Sequence, residues 1–242
     1  MEKIYFVMPA YNEEANIESV VRQWHGAAAQ LQKEGVEARL VIANDGSKDS
    51  TYARLKELEK KYPLLRALDK PNSGHGATLL YLYRYALENG ADYVFQTDSD
   101  GQTDPEEFAP FWAARHEWDF QIGHRSGRQD GFSRVVVTKV LKGVVRVTFG
   151  VSVTDANTPF RLMKAEALKE VMQLVPDDFF LSNVAISALA VKRGFRCRWL
   201  PITFKPRQGG VNSINLPRIF KIGRKAVGDF IKINRSAGRS GR

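Results

Sequence analysis

Three aspartates lie within residues 96–108, directly after the apolar segment 93–95. Asp98 and Asp100 stand two positions apart, so in a regular strand both side chains would point to the same face. Two carboxylates in this arrangement can bind a hard divalent cation, and the amide oxygen of Gln102 could add a neutral ligand. A polar turn that leads into a helix has the same composition, so the spacing alone leaves a metal site and a solvated turn both open.

Asp104, the third of these aspartates, has a simpler explanation. It is followed by Pro105, Glu106 and Glu107. An aspartate at the cap position with a proline in the first turn is typical of the start of a helix. We therefore expect Asp104 to cap a helix.

Strand patterns alternate with helical patterns through the first half of the chain. Buried strands are predicted at residues 4–10, 38–43, 64–68 and 92–97. Helical patterns follow each of them, and Asn12 is expected to cap the first helix. This alternation predicts an α/β fold with a mostly parallel central sheet and helices on both faces.

The second half of the chain has a looser pattern. It predicts a loop at 123–131, a helix from 133 to about 149, a strand at 160–163, a helix near 181–192 and a strand at 196–204. Cys197, the single cysteine, falls in the last strand, so a disulfide is excluded and a buried, reduced thiol is expected.

Polar clusters follow three of the predicted strands, and ligands of such sheets bind beyond the carboxyl ends of the strands. The clusters should therefore converge on one crevice. They contain Pro9, Ala10, Tyr11 and Glu13, then Asn44 and Asp45, then Asp98 and Asp100. Neither a dinucleotide glycine fingerprint nor a phosphate loop is present, which argues against hydride transfer and P-loop hydrolysis.

The composition is that of a soluble globular protein, with 242 residues, 43% apolar and 26% charged. We find no secretory signal pattern and no run of about 18 apolar residues, so we expect a cytoplasmic protein.

The basic charge is concentrated at the C-terminus. Residues 216–242 carry eight basic side chains and one acidic one, so +7 of the net +9 falls there and +2 in residues 1–215. We expect one domain over 1–215 and a basic amphipathic tail over 216–242. The apolar stripe of the tail predicts a helix on an anionic membrane surface, with packing on the protein body as the alternative. The stripe consists of Ile219, Phe220, Ala226, Val227, Phe230 and Ile231. Few aromatic residues are present for stacking, so we expect no nucleic-acid partner.

Four motifs occur in the order found in one enzyme family. They are residues 8–14 (Met-Pro-Ala-Tyr-Asn-Glu-Glu), 44–51 (Asn-Asp-Gly-Ser-Lys-Asp-Ser-Thr), 72–76 and 98–102. Over about residues 4–213 the chain resembles the family 2 glycosyltransferases of the GT-A fold. Within that family it is similar to the polyprenyl-phosphate sugar synthases, such as dolichyl-phosphate mannose synthase.

The resemblance implies roles for the polar clusters. The donor nucleotide would contact Asp98 and the residues Pro9, Ala10, Tyr11, Glu13, Asn44 and Asp45. Asp98, Asp100 and Gln102 would bind Mg²⁺ or Mn²⁺ on the donor diphosphate, with Asp100 essential for catalysis. The family usually has two aspartates at positions 44 and 45, so the resemblance leaves open which of the two contacts the base.

The resemblance also implies residues for the acceptor. Arg125, Arg134 and Thr138 would bind a lipid phosphate, and the last two are four positions apart on one helical face. Arg207 lies in a glycine-containing loop over 205–213 and would close over the diphosphate as a catalytic residue.

Asp177 and Asp178 bear on the type of acceptor. Transfer to a hydroxyl needs a general base, whereas a phosphate acceptor is already an anion. Asp178 could be that base, or the pair could cap a helix beginning at residue 179, which is what we expect.

The sequence therefore predicts a metal-dependent, inverting transfer of a hexose from a UDP- or GDP-linked sugar to polyprenyl (dolichyl or undecaprenyl) phosphate. The protein would act peripherally at the inner face of a membrane. Two alternatives stay open: transfer to a saccharide hydroxyl, and a non-catalytic membrane-associated protein that binds nucleotide sugars.

Overall fold

The structure is a computed structural model that describes residues 1–125, 132–205 and 226–235, with only the backbone described for 132–139. Strands and helices alternate along this part of the chain, as the apolar periodicity predicts.

A central sheet of seven strands has the order β3-β2-β1-β4-β6-β5-β7. The strands are β1 (Lys3–Ala10), β2 (Glu37–Asp45), β3 (Leu65–Lys70), β4 (Tyr93–Gln96), β5 (Phe120–Arg125), β6 (Arg161–Lys164) and β7 (Cys197–Ile202). Strand β6 runs antiparallel to β4 and β5, and the other neighbouring strands pair in parallel. The sheet is therefore mostly parallel, as predicted.

Helices cover both faces of the sheet because its side chains alternate between two cores. Tyr5 and Val7 of β1 point into one core, and Ile4, Phe6 and Met8 point into the other. The helices are α1 (Ile17–Lys33), α2 (Thr51–Lys61), α3 (His75–Glu88), α4 (Ala109–Ala113), α5 (Phe132–Phe149), α6 (Ala165–Met172) and α7 (Ser182–Lys192). Helix α1 packs on the core of Phe6, whereas α3, α7 and the helical residues 226–235 pack on the core of Val7.

Two predicted helix caps had different outcomes. Asp104 does cap, because its Oδ1 accepts a hydrogen bond of 3.1 Å from the Glu106 backbone N–H at the start of a 3-10 turn over Pro105–Phe108. The prediction for Asn12 was wrong, since α1 begins five residues later at Ile17. Asn12 has a φ of 55° and accepts a hydrogen bond from the Lys48 backbone N–H. It therefore joins the loop after β1 to the loop after β2.

The loop predicted from residue 123 begins later than expected, because β5 continues to Arg125. Gly123 belongs to the strand, where a Cβ would lie 2.5 Å from the side chain of Ile202 in β7. Cys197 is half-buried rather than buried.

The C-terminal helical segment packs on the protein body. Ala226, Phe230 and Ile233 are buried, and the ring of Phe230 lies 5.4 Å from that of Phe149 and 5.5 Å from that of Phe179. The prediction that the apolar stripe faces a membrane is therefore wrong for Ala226 and Phe230. Ile219 and Phe220 lie outside the described residues, and the domain boundary near 215 stays a prediction. None of the described helices is long and apolar enough to cross a bilayer.

Candidate active site

A cavity of about 390 Å³ opens at the carboxyl ends of β1, β2 and β4, where the parallel-sheet rule places a ligand. The three polar clusters meet there as expected. The predicted residues that line the cavity are Pro9, Ala10, Tyr11, Glu13, Asp45, Asp98 and Asp100. Another side of the cavity is formed by the loop before α3 and the first residue of that helix, with Asn72, Gly74 and His75.

The ends of the strands are fixed by hydrogen bonds between loops. The Glu13 backbone N–H donates to Thr51 Oγ1 at 2.8 Å, and Ser99 Oγ donates to the Pro9 carbonyl at 2.7 Å. Asn16 Nδ2 donates to Glu13 Oε2 at 2.8 Å. These bonds hold the loops after β1, β2 and β4 in one arrangement.

Of the pair Asn44 and Asp45, the structure places Asp45 at the cavity. Asn44 is not among the lining residues, because its amide is used elsewhere. Its Nδ2 donates to Asp69 Oδ1 at 2.7 Å, and its Oδ1 accepts from the Ser47 backbone N–H at 3.3 Å.

Asp45 is held as an anion by three donors. Lys70 Nζ lies 2.5 Å from its Oδ1, and the backbone N–H groups of Ser73 and Gly74 donate at 2.8 and 3.0 Å. Burial alone would raise the pKa of Asp45, but the hydrogen bonds from Lys70 and Ser73 outweigh burial and lower it. The carboxylate therefore connects β2 to the loop that begins α3.

Lys70 is a part of the site that the sequence reasoning missed. It ends β3, so the rule that was applied to the ends of the other three strands would have found it. Its amine also donates to Ser73 Oγ at 2.7 Å and to Thr78 Oγ1 at 3.2 Å.

Asp98 has an environment that would favour a cation. Its side chain is 26% exposed, but its Oδ1 is buried and has no hydrogen-bond partner among the described residues. Burial raises the pKa of Asp98 and nearby Asp100 adds to this rise, whereas His75 and Arg125 oppose it. The net effect is a rise from 3.8 to about 6. The Oδ1 oxygen of Asp98 accepts no hydrogen bond among the described residues and lies 3.7 Å from His75 Nε2. Its burial beside a second carboxylate fits a hard divalent ion.

Gln102 does not line the cavity with the two aspartates. Its Nε2 donates to the Lys205 carbonyl at 2.9 Å, and the Lys205 N–H donates to the Gln102 carbonyl at 2.8 Å. Gln102 thus joins the turn after β4 to the segment that follows β7. Arg207, two residues further on, lies outside the described residues.

Arg125 is the last residue of β5, which runs in the same direction as β4 and ends at the same edge of the sheet, where the cavity opens. Its guanidinium stacks on the ring of Phe204 at 4.1 Å, and its charge lowers the pKa of Asp98. The structure thus brings Arg125 within electrostatic reach of Asp98. Arg134 and Thr138 lie in the first two turns of α5, and their side chains are outside the description.

Asp177 and Asp178 do not cap a helix, because α7 begins at Ser182 with Leu181 before it. That expectation was wrong. Asp177 instead forms an ion pair with Arg84, which anchors it to α3. Asp178 lines a second cavity of about 230 Å³, together with Phe179, Phe180 and Lys232, and is absent from the lining of the first.

The family model described as glycosyl transferase family 2 matches residues 5–172. A polyprenol monophosphomannose synthase of Mycolicibacterium smegmatis is 26% identical over 225 residues, covering 88% of this chain and 82% of the relative. A UDP-N-acetylglucosamine–dolichyl-phosphate N-acetylglucosaminyltransferase of Methanococcus voltae is 30% identical over 186 residues, covering 69% of this chain and 71% of the relative.

Among solved structures, a glucosyl-3-phosphoglycerate synthase from Mycobacterium tuberculosis superposes with a TM-score of 0.68. That structure contains Mn²⁺, UDP-glucose and phosphoglyceric acid. At 18% identity, covering 96% of this chain and 80% of that one, the likeness concerns the fold. It confirms the GT-A fold expected from the sequence.

Proposed function

Since the chain belongs to glycosyl transferase family 2 and is a glycosyltransferase, we propose that it moves a hexose from a nucleotide sugar to a polyprenyl phosphate. The observation that carries the proposal is the meeting of Asp98 and Asp100 with the loops after β1 and β2 in one cavity. The names of the mycobacterial and archaeal relatives support the acceptor class.

The donor would occupy the first cavity. Tyr11, Glu13 and Asp45 would contact the base and ribose, and the donor diphosphate would lie beside Asp98 and Asp100. A Mg²⁺ or Mn²⁺ ion held by the two aspartates would neutralise the charge that builds on the departing diphosphate. Two carboxylates leave coordination positions that diphosphate oxygens and water can fill.

The acceptor phosphate would attack from the Arg125 side. A phosphate monoester has a second pKa of about 6, so at neutral pH it is largely a dianion and needs no general base. A phosphate oxygen bonds to the anomeric carbon as the bond to the diphosphate breaks on the opposite face, which inverts the configuration. We assign Arg125, Arg134 and Thr138 to the acceptor phosphate and Arg207 to the leaving diphosphate.

The position of Asp178 favours this acceptor over a hydroxyl. A general base must lie within hydrogen-bond reach of the proton that it removes. Asp178 lines the second cavity and not the one proposed for the donor. The phosphate mechanism does not use it.

Asp100→Ala tests the catalytic assignment. We expect transfer of radiolabelled sugar to polyprenyl phosphate to be abolished, while the thermal unfolding temperature stays close to that of the wild type. Asp104→Ala is the matched control in the same turn. It should keep transfer and cost about 1 kcal/mol of stability through the lost cap, with less than about 1 kcal/mol more from its partly exposed ion pair with Lys205. Near-normal turnover of Asp100→Ala would refute the metal assignment.

Asp178→Asn separates the two acceptor classes. The phosphate mechanism predicts an unchanged turnover number, because no proton has to be removed. A collapse of turnover by about a hundredfold or more, the usual cost of losing a general base, would instead identify a hydroxyl acceptor.

The donor can be identified by ligand-induced stabilisation. UDP-, GDP- and dTDP-sugars, each with and without Mn²⁺, should raise the unfolding temperature in proportion to their affinity. We expect a UDP- or GDP-sugar to give the largest shift, and only in the presence of the ion. Binding with neither transfer nor slow hydrolysis would favour the non-catalytic alternative.

We further propose that the protein works peripherally at the cytoplasmic face of a membrane, where a polyprenyl phosphate would be embedded. The +7 charge of residues 216–242 supports attraction to an anionic surface.

A further inference from the structure

Arg161, the first residue of β6, carries a charge in the interior of the domain. Its side chain is fully buried, and its three nitrogens donate five hydrogen bonds of 2.8 to 3.3 Å. The acceptors are the carbonyl oxygens of Ala156, Thr158 and Asn183 and the hydroxyl of Ser187. A guanidinium has five N–H groups, so its donors are all used. The acceptors are neutral, however, so these hydrogen bonds do not balance the charge.

The sheet places a carboxylate near this charge. Arg161 pairs with Gln96, the last residue of β4, and Asp98 follows Gln96 by two positions. Burial lowers the pKa of Arg161, and the carboxylates among the groups that oppose this lowering are those of Asp155 and Asp98. Asp155 is partly exposed to water, whereas Asp98 Oδ1 is buried. Because a buried guanidinium and a buried carboxylate are each unfavourable alone, Arg161 and Asp98 stabilise each other in their charged forms.

Two cations therefore lie within electrostatic reach of the proposed metal ligands. Arg125 and Arg161 are both among the groups that oppose the rise that burial causes in the pKa of Asp98. The formal charges of the two arginines cancel those of Asp98 and Asp100. A divalent ion bound alone would leave the site positive. The two ionised phosphates of a nucleotide sugar would restore neutrality, so the ion and the donor diphosphate complement the charge of the site only together.

We propose that Arg161 is a positioning residue that supplies a buried counter-charge to Asp98, so that the two aspartates bind a divalent cation tightly only together with the donor diphosphate. Before the ion arrives, the guanidinium would offset the repulsion between the carboxylates of Asp98 and Asp100. It would also weaken the binding of an ion that carries no diphosphate. The inference rests on the proposed function, which takes the two aspartates as metal ligands, but it can be measured without acceptor or turnover.

The test is titration of the full chain with Mn²⁺ at neutral pH, followed through the electron paramagnetic resonance signal of the free ion. Arg161→Gln removes the charge and should tighten the binding of Mn²⁺ alone by about three- to tenfold. Arg161→Lys keeps the charge and should bind Mn²⁺ within about twofold of the wild type. Arg193→Gln is the matched control: it makes the same change at the C-terminal end of α7 and should alter the affinity less than about twofold.

A second titration contains UDP or GDP and is corrected for the Mn²⁺ that the nucleotide binds by itself. We expect the nucleotide to tighten Mn²⁺ binding to the wild type by about tenfold or more. The gain should be smaller in Arg161→Gln, because the ion then needs less compensation from the diphosphate.

Equal or weaker Mn²⁺ binding by Arg161→Gln would overturn the proposal, since a residue that acts only through its hydrogen bonds has no reason to tighten binding when it is lost. Both variants of Arg161 lose hydrogen bonds in the core, so urea unfolding will check that each is folded at the temperature of the titration. If Arg161→Gln is unfolded, Arg161→Lys decides alone: an affinity lowered by more than about threefold would show that the bonds and not the charge matter. A wild type that binds no Mn²⁺ even with UDP or GDP would instead refute the metal assignment of the proposed function.

Discussion

Gly76 lies in the first turn of α3, next to His75, which lines the first cavity. The backbone of residues 179–180 packs against it. A Cβ at this position would lie 2.4 Å from the Phe179 carbonyl oxygen and 2.5 Å from the Phe180 carbonyl carbon. Both contacts are with backbone, which cannot rotate away as a flexible side chain would. The absence of a side chain at residue 76 thus allows the 179–180 segment to pack against the start of α3.

Gly76→Ala should therefore destabilise the protein by about 1 to 3 kcal/mol, the usual cost of overpacking. It should also weaken donor binding, because the neighbouring His75 lines the cavity. Urea unfolding measures the first effect and donor titration the second. Gly26→Ala in α1 is the matched control: a Cβ there meets nothing within 4 Å, so it should stabilise the helix by about 0.5 to 1 kcal/mol. A neutral Gly76→Ala would show that the loop moves at no cost.

The carboxylate of Asp119, just before β5, connects the three strands β5, β6 and β7 at one edge of the sheet. Its Oδ1 accepts hydrogen bonds from Lys164 Nζ at 3.0 Å and Arg196 Nη2 at 3.1 Å, and its Oδ2 accepts from the Arg196 backbone N–H at 3.0 Å. Burial alone would raise the pKa of Asp119, but the bonds from Arg196 and Lys164 prevail and lower it from 3.8 to about 2. Asp119 thus links the last three strands of the sheet.

Asp119→Asn should cost about 2 kcal/mol at neutral pH, the free energy equivalent of this pKa shift. A lowered pKa stabilises the folded state above the ordinary pKa, so the difference between wild type and variant should shrink as the pH falls from about 4 to about 2. Urea unfolding across that range measures it. Glu170→Gln breaks the more exposed pair with Arg193 and should cost less than about 1 kcal/mol. A pH-independent difference would contradict the ionic explanation.

Periodicity predicted the elements better than their arrangement. The parallel strands β1 to β4 and helices α5 and α7 were placed within a few residues, because the apolar spacing of each segment is a local property. The insertion of β6 between β4 and β5, in the opposite direction, was not predicted. Which strands pair depends on contacts between distant residues, and a strand pattern of four residues carries no such information.

In the candidate site, too, local features were predicted from the sequence and contacts between distant residues were not. The meeting of three polar clusters followed from the parallel-sheet rule, which needs only the ends of the strands. The partners of Gln102 and Asn44 were missed, since Lys205 and Asp69 approach them only through the folded path of the chain. Cap predictions succeeded where a proline fixed the helix start, as at Asp104, and failed at Asn12 and at 177–178, where none did.

The helical segment 226–235 contacts several elements of the fold. Phe230 belongs to the same core as Val7 of β1 and packs on the rings of Phe149 in α5 and Phe179 before α7. Lys192 of α7 also donates to Asn234 Oδ1 at 2.5 Å. The segment 226–235 therefore contributes to the stability of the domain, although its composition resembles that of a peripheral tail.

Phe230→Ala tests this contribution. The side chain is fully buried, so its removal should cost about 3 to 5 kcal/mol through lost burial and the cavity left behind. Ile231→Ala, at the adjacent position that is 38% exposed, should cost less than about 1 kcal/mol. Removal of residues 226–242 should lower the unfolding temperature at least as far as Phe230→Ala does, because it removes Ala226 and Ile233 as well. An unchanged unfolding temperature of the truncated chain would instead establish an independent tail, with the core complete without it.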